Sequence, residues 1–472
     1  MDEKRNPDLP EELSPPDGET IYFTAPEEAQ YFDALNDASA ADGAPEAPVT
    51  DEFPALFPGE AAQPEDELPP EDFGADTYGA DGGLPPEDEN LPPMYDGDAT
   101  HVERPVRKKR SRARKVLRVL CVIGKFLLGL VLVVAVLAAG LIGYLTVTEY
   151  TPAYAEVAER GANNLTIQLN KPTVRLVTFN TGFAGLGEDA DFFMDGGTGV
   201  NPDSADVVEQ NMIGIERILS DLNADFLLLQ EVDTDSDRSF HKNQWLQYEY
   251  DLVGYETRYA MNYSCDYVPY PLSERIGEVH SGIATYSRFD ISSATRYALP
   301  CPFSWPTRVA NLKRCMLVTR IPLENVEDRE LVIVNFHLEA YDDGEGKAEQ
   351  AAQLLDFIQA EYEKGNYVIA GGDFNQVFPG TLDTYPLTQT DDWTPSEIGE
   401  LPDGWQYAYD DGVPTCRLLN QPYEPNSSKT QYYVIDGFIV SPNVTVERIE
   451  TINEGFVYSD HNPVVLEVSF GE

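Results

Sequence analysis

The chain has 472 residues, enough for more than one domain, and carries 82 Asp and Glu against 32 Lys and Arg, a formal net charge of −50. Such an acid excess argues against tight, salt-sensitive binding of long nucleic acid through a basic face. It leaves metal-assisted phosphoester chemistry open, and the composition divides the chain into unlike parts.

Residues 1–100 hold 28 Asp and Glu against 2 Lys and Arg. Repeated Pro-Pro, Pro-Glu and Gly-Ala-Asp steps break any helical or strand period there, so a tail over residues 1–103 cannot bury enough apolar surface to offset its chain entropy. It reads as disordered. Its scattered aromatics (Tyr22, Phe23, Tyr31, Phe32, Phe53, Phe57, Tyr78, Tyr95) read as part of a solvated tail, with short docking motifs as the alternative.

The sign reverses over residues 104–125, where ten basic residues include Arg107-Lys108-Lys109-Arg110. Beside an apolar run, this cluster suits anionic lipid headgroups better than nucleic acid. Phe126 to Leu145 is an uncharged apolar run of 20 residues, and at about 1.5 Å per residue it spans the roughly 30 Å hydrocarbon core of a bilayer. A transmembrane helix is therefore predicted over 126–148. A cleaved signal peptide would have a shorter apolar region and would not follow a tail of about a hundred residues. Basic residues before the span, and Glu149, Glu156 and Glu159 after it, predict a single-pass protein of the cell membrane. Its N-terminus would be cytoplasmic and its C-terminal domain extracellular. Of the net charge of −50, residues 1–100 carry −26 and residues 101–125 carry +9, which leaves −33 for residues 126–472.

A linker over 149–172 precedes the C-terminal domain, residues 173–472. A first helix is predicted from an N-cap at Ser204, after Asn201-Pro202-Asp203, to Leu222, with Val208, Met212, Ile215, Leu219 and Leu222 on one face. A second covers Gly346 to Lys364, with Ala348, Ala351, Leu355, Ile358 and Tyr362 on one face. Strands are predicted at Val174–Phe179, Phe226–Leu229, Gly282–Tyr286, Cys315–Ile321, Leu331–Phe336, Tyr367–Ala370, Val434–Val440 and Val464–Val468. Many strands with few helices predict an α+β layered fold. Between Asn375 and Asp436 the rings Trp393, Trp405, Tyr407, Tyr409, Tyr423, Tyr432 and Tyr433 form either a site's rim or a cluster packed under a long loop. Cys265, Cys301, Cys315 and Cys416 are spaced unlike a zinc motif and form either two disulfides or free thiols.

Polar motifs sit at the ends of these apolar runs. Glu231 ends a buried strand, where a lone carboxylate is costly unless partnered, and Mg²⁺ or Mn²⁺, which prefer oxygen ligands, would supply a partner. Asp373 and Asn375 alternate on what reads as an extended segment and so project to one side, one to take a proton from water and the other to orient it or to bind phosphate. Asp460-His461 pairs a carboxylate with an imidazole, and Asp436 is placed to fix that ring's tautomer. Each motif alone also reads as a turn or a strand end. Their coincidence is the signal, and two of the five histidines, His337 and His461, both fall in motifs at strand ends.

Asn180, Leu-Gln-Glu231, Ser281-Gly282-Ile283-Ala284-Thr285-Tyr286-Ser287-Arg288, Asn-Phe-His337, Gly-Gly-Asp373-Phe-Asn375, Ile435-Asp436-Gly-Phe-Ile and Ser-Asp460-His461 occur in the order found in the endonuclease/exonuclease/phosphatase superfamily. The chain resembles that family from about Thr173 to its C-terminus. The resemblance implies a four-layer fold, a two-sheet β-sandwich flanked by helices, with the site at one end. It implies that Glu231 is the main metal ligand, that Asn180 supports phosphate or metal, and that Asp373 with Asn375 activates water. His461, oriented by Asp436, would stabilise the phosphoryl charge, and Asp460 would assist the metal or the leaving group. His337 is similar to a histidine of the deoxyribonuclease and sphingomyelinase branches, and Arg314 to a phosphate-contacting arginine; a solvated strand-end charge is the other reading of Arg314. In two places the chain departs from the family pattern. Gly182 stands where many members carry a second acidic or amide ligand, so that the metal either has fewer protein ligands or borrows Asp191 or Asp195, and Gly437 replaces an aromatic residue, which is expected to leave space beside Asp436.

The expected protein is a membrane-anchored, metal-dependent phosphoesterase that hydrolyses phosphodiester bonds of nucleic acid or of a lipid headgroup. A phosphomonoesterase of the inositol-phosphate type and a catalytically silent binding ectodomain are the alternatives. Nothing in the sequence points to an oligomer.

Overall fold

A computed structural model describes residues 112–326, 328–341, 345–389, 393–425, 427 and 429–471. The acidic tail read as disordered lies outside them, as does the start of the basic segment. Helix α1 (Arg112–Val147) runs from within the basic segment through the whole apolar stretch, so the two segments separated by charge form one continuous helix. Among the described residues it is the one helix long and apolar enough to cross a membrane, and Val116 through Leu137 leave their apolar side chains exposed along it.

The strands that follow are β1 (Ala155–Val157), β2 (Glu159–Arg160), β3 (Thr173–Asn180) and β4 (Phe226–Asp233), the last two flanking helix α2 (Ala205–Leu222). Helix α3 (Gln244–Asp251) leads to β5 (Glu256–Val268), β6 (Gly277–Ser287), β7 (Ser293–Ala298), β8 (Cys315–Pro322) and β9 (Glu330–His337). Helix α4 (Glu345–Glu363) then precedes β10 (Tyr367–Asp373), β11 (Gln376–Val377), β12 (Ser396–Glu397), β13 (Gln406–Ala408), β14 (Cys416–Arg417) and β15 (Tyr432–Tyr433). The chain closes with β16 (Asp436–Val440), β17 (Val444–Thr451) and β18 (Val464–Phe470). One seven-stranded sheet has the order β1-β7-β8-β9-β10-β16-β13 and the other β17-β18-β3-β4-β6-β5-β2.

Alternation within the central strands builds the four layers. Leu176 of β3 points between the sheets with Phe226, Leu228, Ile333, Ile369 and Phe438, while Val177 faces the other way onto Val208, Met212, Ile215 and Leu219 of α2. On the far side, Val332, Val334 and Val368 meet Leu354 and Ile358 of α4. Both faces of each sheet are thus covered, which is why these strands read as continuous apolar runs. Full burial of each such Leu, Ile or Phe contributes about 1.5–3 kcal/mol. Ser204 caps α2 by accepting from Val207 N–H, as its position before the apolar period predicts.

Each sheet contains one parallel pair joined by a crossover helix: β3-α2-β4 in one, β9-α4-β10 in the other. Both pairs direct their C-terminal ends, and the polar residues there, to the same end of the sandwich.

The segment read as a linker is not free. β1 pairs with β7 of one sheet and β2 with β5 of the other, so residues 155–160 clip both sheets at their edges. The 13-residue β5 escapes sequence reading because buried polar residues, Glu256, Thr257, Arg258 and Asn262, interrupt its pattern; Glu256 and Arg258 pair at 2.8 Å. Among the described residues all five cysteines are free thiols, with Cys265, Cys315 and Cys416 buried.

The end of α1 is docked on the domain. Leu145 is 4% exposed and packs with Tyr263, Val268 and Val309. Tyr144 Oη donates to Asp266 (2.6 Å) and Trp305 Nε1 donates to Thr146 Oγ1 (3.0 Å). Buried Glu149 then pairs with Arg308 at 3.2 Å and Lys313 at 3.4 Å.

Candidate active site

Strand register brings the acidic motifs together. Asp373 at the end of β10 lies opposite Asp436 on antiparallel β16 and beside His337 on parallel β9, so three sequence-distant groups stand abreast on one sheet. On the other sheet Asn180 ends β3, and β4 carries a bulge between Leu229 and Val232. Glu231 sits in that bulge with φ of 54°. The bulge breaks strict alternation and re-aims its carboxylate. Asn180 Nδ2 then donates to Glu231 Oε1 (3.1 Å) and to Asp373 Oδ2 (3.0 Å), so a single amide links the acids of both sheets. Its Oδ1 accepts from Gly182 N–H at 3.0 Å, which fixes the amide's orientation.

Just below, Gln230 Nε2 donates across the sandwich to Asn335 Oδ1 (2.8 Å), and Asn335 Nδ2 donates to the Leu229 and Ala284 carbonyls. This buried bridge locks the sheets in register beneath the site. Gly371 and Gly372 permit the close approach: a Cβ on Gly372 would stand 2.0 Å from the Phe336 carbonyl oxygen, and one on Gly371 would strike the Phe438 ring at 2.4 Å.

His461 sits among the acids. Its Nδ1 is 2.8 Å from Asp436 Oδ2, and its Nε2 is 3.8 Å from both Asp373 Oδ2 and Asp460 Oδ2. Burial opposes a charged ring, yet Asp436, Cys416 and Asp460 outweigh it and hold His461 well above the ordinary histidine range. The opposite holds for His337, whose Nε2 is 3.4 Å from Asp373 Oδ2: burial, with Arg314 and His461 nearby, drives it well below that range. One imidazole is therefore charged and the other neutral, an arrangement that separates acid from base roles. Burial and the facing Asp436 push Asp373 upward.

Asp460 and Asp195 complete an oxygen-rich set. Burial, with Glu231 and Asp195, pushes Asp460 up to about 7 against the pull of His461, and burial pushes Asp195 up to about 6, with Glu231 adding to it. Mutually repelling carboxylates and an amide suit a hard divalent cation. Two close triads of possible ligands occur among the described residues, Cys416-Asp460-His461 and Asp373-Asp436-His461; burial pushes the Cys416 thiol up to about 12, which leaves it a poor hard-cation ligand. Of the two acids available in place of a ligand at Gly182, Asp191 is spent on the Thr198 and Gly199 amides, while Asp195 lines the site and accepts from Tyr341 Oη (2.9 Å). Gly182 has φ of 53°, and a Cβ there would stand 2.9 Å from Asp460 Oδ1.

Arg314 is 4% exposed, its Nε is 3.6 Å from Glu339 Oε2, and neither Nε nor Nη1 has a hydrogen-bond partner. It is not a solvated strand-end charge. Buried guanidinium donors without acceptors are costly, and these line the same cavity as Asp373 and His461.

Two expectations need correction. Asn375 is not on an extended segment: with φ of 50° it turns, its N–H donates to Asp373 Oδ1 (2.8 Å), and its Nδ2 donates to the Leu338 carbonyl (2.9 Å). It buttresses Asp373. Gly437 leaves no space either, because a Cβ there would lie 2.8 Å from the Phe378 ring, which occupies the room an aromatic neighbour would take. The aromatic loop divides: Trp393 lines the cavity, whereas Trp405, Tyr407 and Tyr409 pack on the domain with Phe374 and Phe378. Sequence reading missed Glu339 and Tyr341, which directly extend the Asn-Phe-His337 motif, and Arg238, which is paired to Asp233 at 2.8 Å and stacked 3.8 Å from the Phe183 ring. A second cavity, bordered by Lys171, Arg175, Asp225 and Glu467, has its charges paired with one another.

The family model described as the Endonuclease/Exonuclease/phosphatase family matches residues 177–461. Among solved structures, the chain is similar to an endonuclease/exonuclease/phosphatase from Beutenbergia cavernae, with 18% identity and a TM-score of 0.45 over 64% of this chain and 72% of that one. It is also similar to the human Nocturnin catalytic domain with bound sulfate, with 19% identity and a TM-score of 0.40 over 64% and 96% of the two chains. The endonuclease/exonuclease/phosphatase from Bacteroides vulgatus gives 16% identity and a TM-score of 0.41 over 64% and 100%. No curated protein matches the chain in sequence.

The unpartnered Arg314 donors predict oxyanion binding. Inorganic phosphate should raise the melting temperature of the full chain, because a ligand at a hundredfold excess over its Kd stabilises the folded state by roughly 2.7 kcal/mol. Arg314→Gln should abolish that rise, and an equal rise in the variant would remove Arg314 from the anion site.

Proposed function

Because the chain belongs to the endonuclease/exonuclease/phosphatase family, we propose that this phosphoester hydrolase is a divalent-metal-dependent phosphodiesterase, anchored in the cell membrane by α1, with the tail cytoplasmic and the catalytic domain extracellular. The observation that carries the reading is the Asp373, His461 and Asp436 row, 2.8 and 3.8 Å apart through the ring, tied by Asn180 to Glu231. A binding domain that kept only the fold would have no use for so many buried charges, each costly to desolvate.

Glu231 and Asp460, with Asn180 and Asp195 beside them, would hold Mg²⁺ or Mn²⁺, which when bound neutralises charge on the phosphoryl oxygens. The remaining work falls to side chains. Arg314 and the charged His461 bind the non-bridging oxygens, and Asp436 holds the His461 ring by its Nδ1. The Asp373 carboxylate, made more basic by burial and the facing Asp436 and fixed by the Asn375 N–H, takes a proton from the attacking water. The water oxygen bonds to phosphorus, one ester P–O bond breaks, and a proton returns to the departing oxygen, giving a phosphomonoester and an alcohol. His337, neutral and beside Asp373, is placed to serve that departing oxygen.

Glu231→Gln should abolish turnover and weaken Mg²⁺ binding, since a neutral amide cannot match a carboxylate on a hard cation; full activity with unchanged Mg²⁺ affinity would remove Glu231 from the site. His461→Ala and Asp436→Asn should each slow turnover by about 10²–10⁴, and the double variant should lose little more than the worse single one, because residues acting as one unit are not additive. Additive losses would refute the coupled pair, and a fall in melting temperature with turnover per folded molecule intact would make His461 structural. For the anchored orientation, protease added to intact cells should remove the catalytic domain and spare the tail; an accessible tail would reverse it.

A further inference from the structure

One cavity of about 460 Å³ reaches from the catalytic groups to the membrane helix: Asn180, Glu231 and His461 line one part of it, and Ile142 and Leu145 of α1 another. The rest of its wall is mainly apolar, with Phe193, Met194, Val268, Tyr270 and Val309, while Arg238, Asn262 and Asn311 add polar groups. The 21 residue steps from Lys125 to Thr146 rise about 31 Å, close to the hydrocarbon thickness of a bilayer. Thr146 therefore marks the outer interface, and Ile142 lies one turn deeper.

A second observation points the same way. Beside this end of α1 the domain exposes Trp305 (56%), which is bonded to Thr146 itself, and Tyr270 (60%), which lines the same cavity as Ile142. Aromatic side chains with a polar tip favour the headgroup level of a membrane. The ion pairs of Glu149 with Arg308 and Lys313 hold this face against the helix end.

We infer that the cavity is a side entrance from the outer leaflet, and that the substrate is an amphiphilic phosphodiester whose phosphate meets Arg314 and His461 while its hydrocarbon runs along Val268 and Val309 toward Ile142. This rests on the anchored-phosphodiesterase reading and names its substrate class. A strand of nucleic acid fits the site poorly, because the wall offers apolar surface and the domain carries strong negative charge.

The test uses the full chain in lipid nanodiscs with Mg²⁺ and a series of 4-nitrophenyl phosphodiesters carrying methyl, butyl or octyl groups, each below its critical micelle concentration. Burial of each methylene is worth roughly three- to fourfold, so kcat/KM should rise by at least about 50-fold from methyl to octyl. Val309→Arg should reduce the octyl-to-methyl ratio at least tenfold. A flat series, or faster cleavage of an oligonucleotide than of the octyl ester, overturns the side entrance while leaving phosphodiesterase activity standing. Cleavage of neither the esters nor the oligonucleotide instead overturns the phosphodiesterase reading itself. If Val309→Arg does not fold, the chain-length series on the unaltered protein still decides.

Discussion

Everything at the active end of the sandwich depends on stacking carboxylates where water is scarce. Asp373 and Asp436 face each other across adjacent strands, an arrangement that like charges disfavour, and both are almost wholly buried. The pair survives because His461 lies between them as a cation and because Asn180 and Asn375 direct N–H groups at Asp373. Removal of the imidazolium alone would leave an uncompensated negative cluster, which is more costly than never having built it.

That cluster exists because two crossover units point the same way. β3-α2-β4 and β9-α4-β10 each end a parallel pair at the site, and the Gln230 to Asn335 bridge sets the sheets against each other one residue beneath it. Backbone strain completes the aim: Glu231 and Asn375 both have positive φ, which for residues other than glycine is sustained only where surrounding contacts over-determine it. The sandwich supplies a rigid frame, and two local departures from regular strand geometry turn the side chains inward.

Much of this was legible in the sequence. Apolar runs ending in Asn180, Glu231, His337 and Asp373, and the run at Val434–Val440 that carries Asp436, gave the strands of the site, and the Ser204 cap and its 3.6-residue period gave α2 nearly to the residue. What stayed hidden follows from the same physics. β5 buries Glu256 and Arg258 as a pair, so its hydrophobic pattern is broken where its structure is not. Asn375 looked extended because alternation assumes a strand, whereas a left-handed turn stabilised by its own side chain leaves no periodic trace. Asp195 was one of two acids the sequence offered in place of Gly182, and nothing there chose it over Asp191, because the segment that brings it to the site follows no motif. The space expected beside Gly437 was a judgement from one residue, and the Phe378 ring that fills it comes from a distant segment.

The electrostatics of the domain and its docking to α1 fit one logic. A domain with a net charge near −33 gathers divalent cations at its surface and repels polyanions, an effect of the whole field rather than of single pairs. It would equally be repelled by anionic headgroups, so contact with a membrane cannot rest on charge. The contacts at the end of α1 are made within the protein: buried Leu145, the Tyr144 hydroxyl on Asp266, the Trp305 indole on Thr146, and Glu149 held between Arg308 and Lys313. Free basic charge sits instead at the other end of the helix, where Arg112, Arg114, Lys115 and Arg118 precede the apolar stretch. Because β1 begins only eight residues after α1 ends and clips onto the sheet, the domain has little slack to swing away from α1, and the cavity stays beside the helix end that lines it.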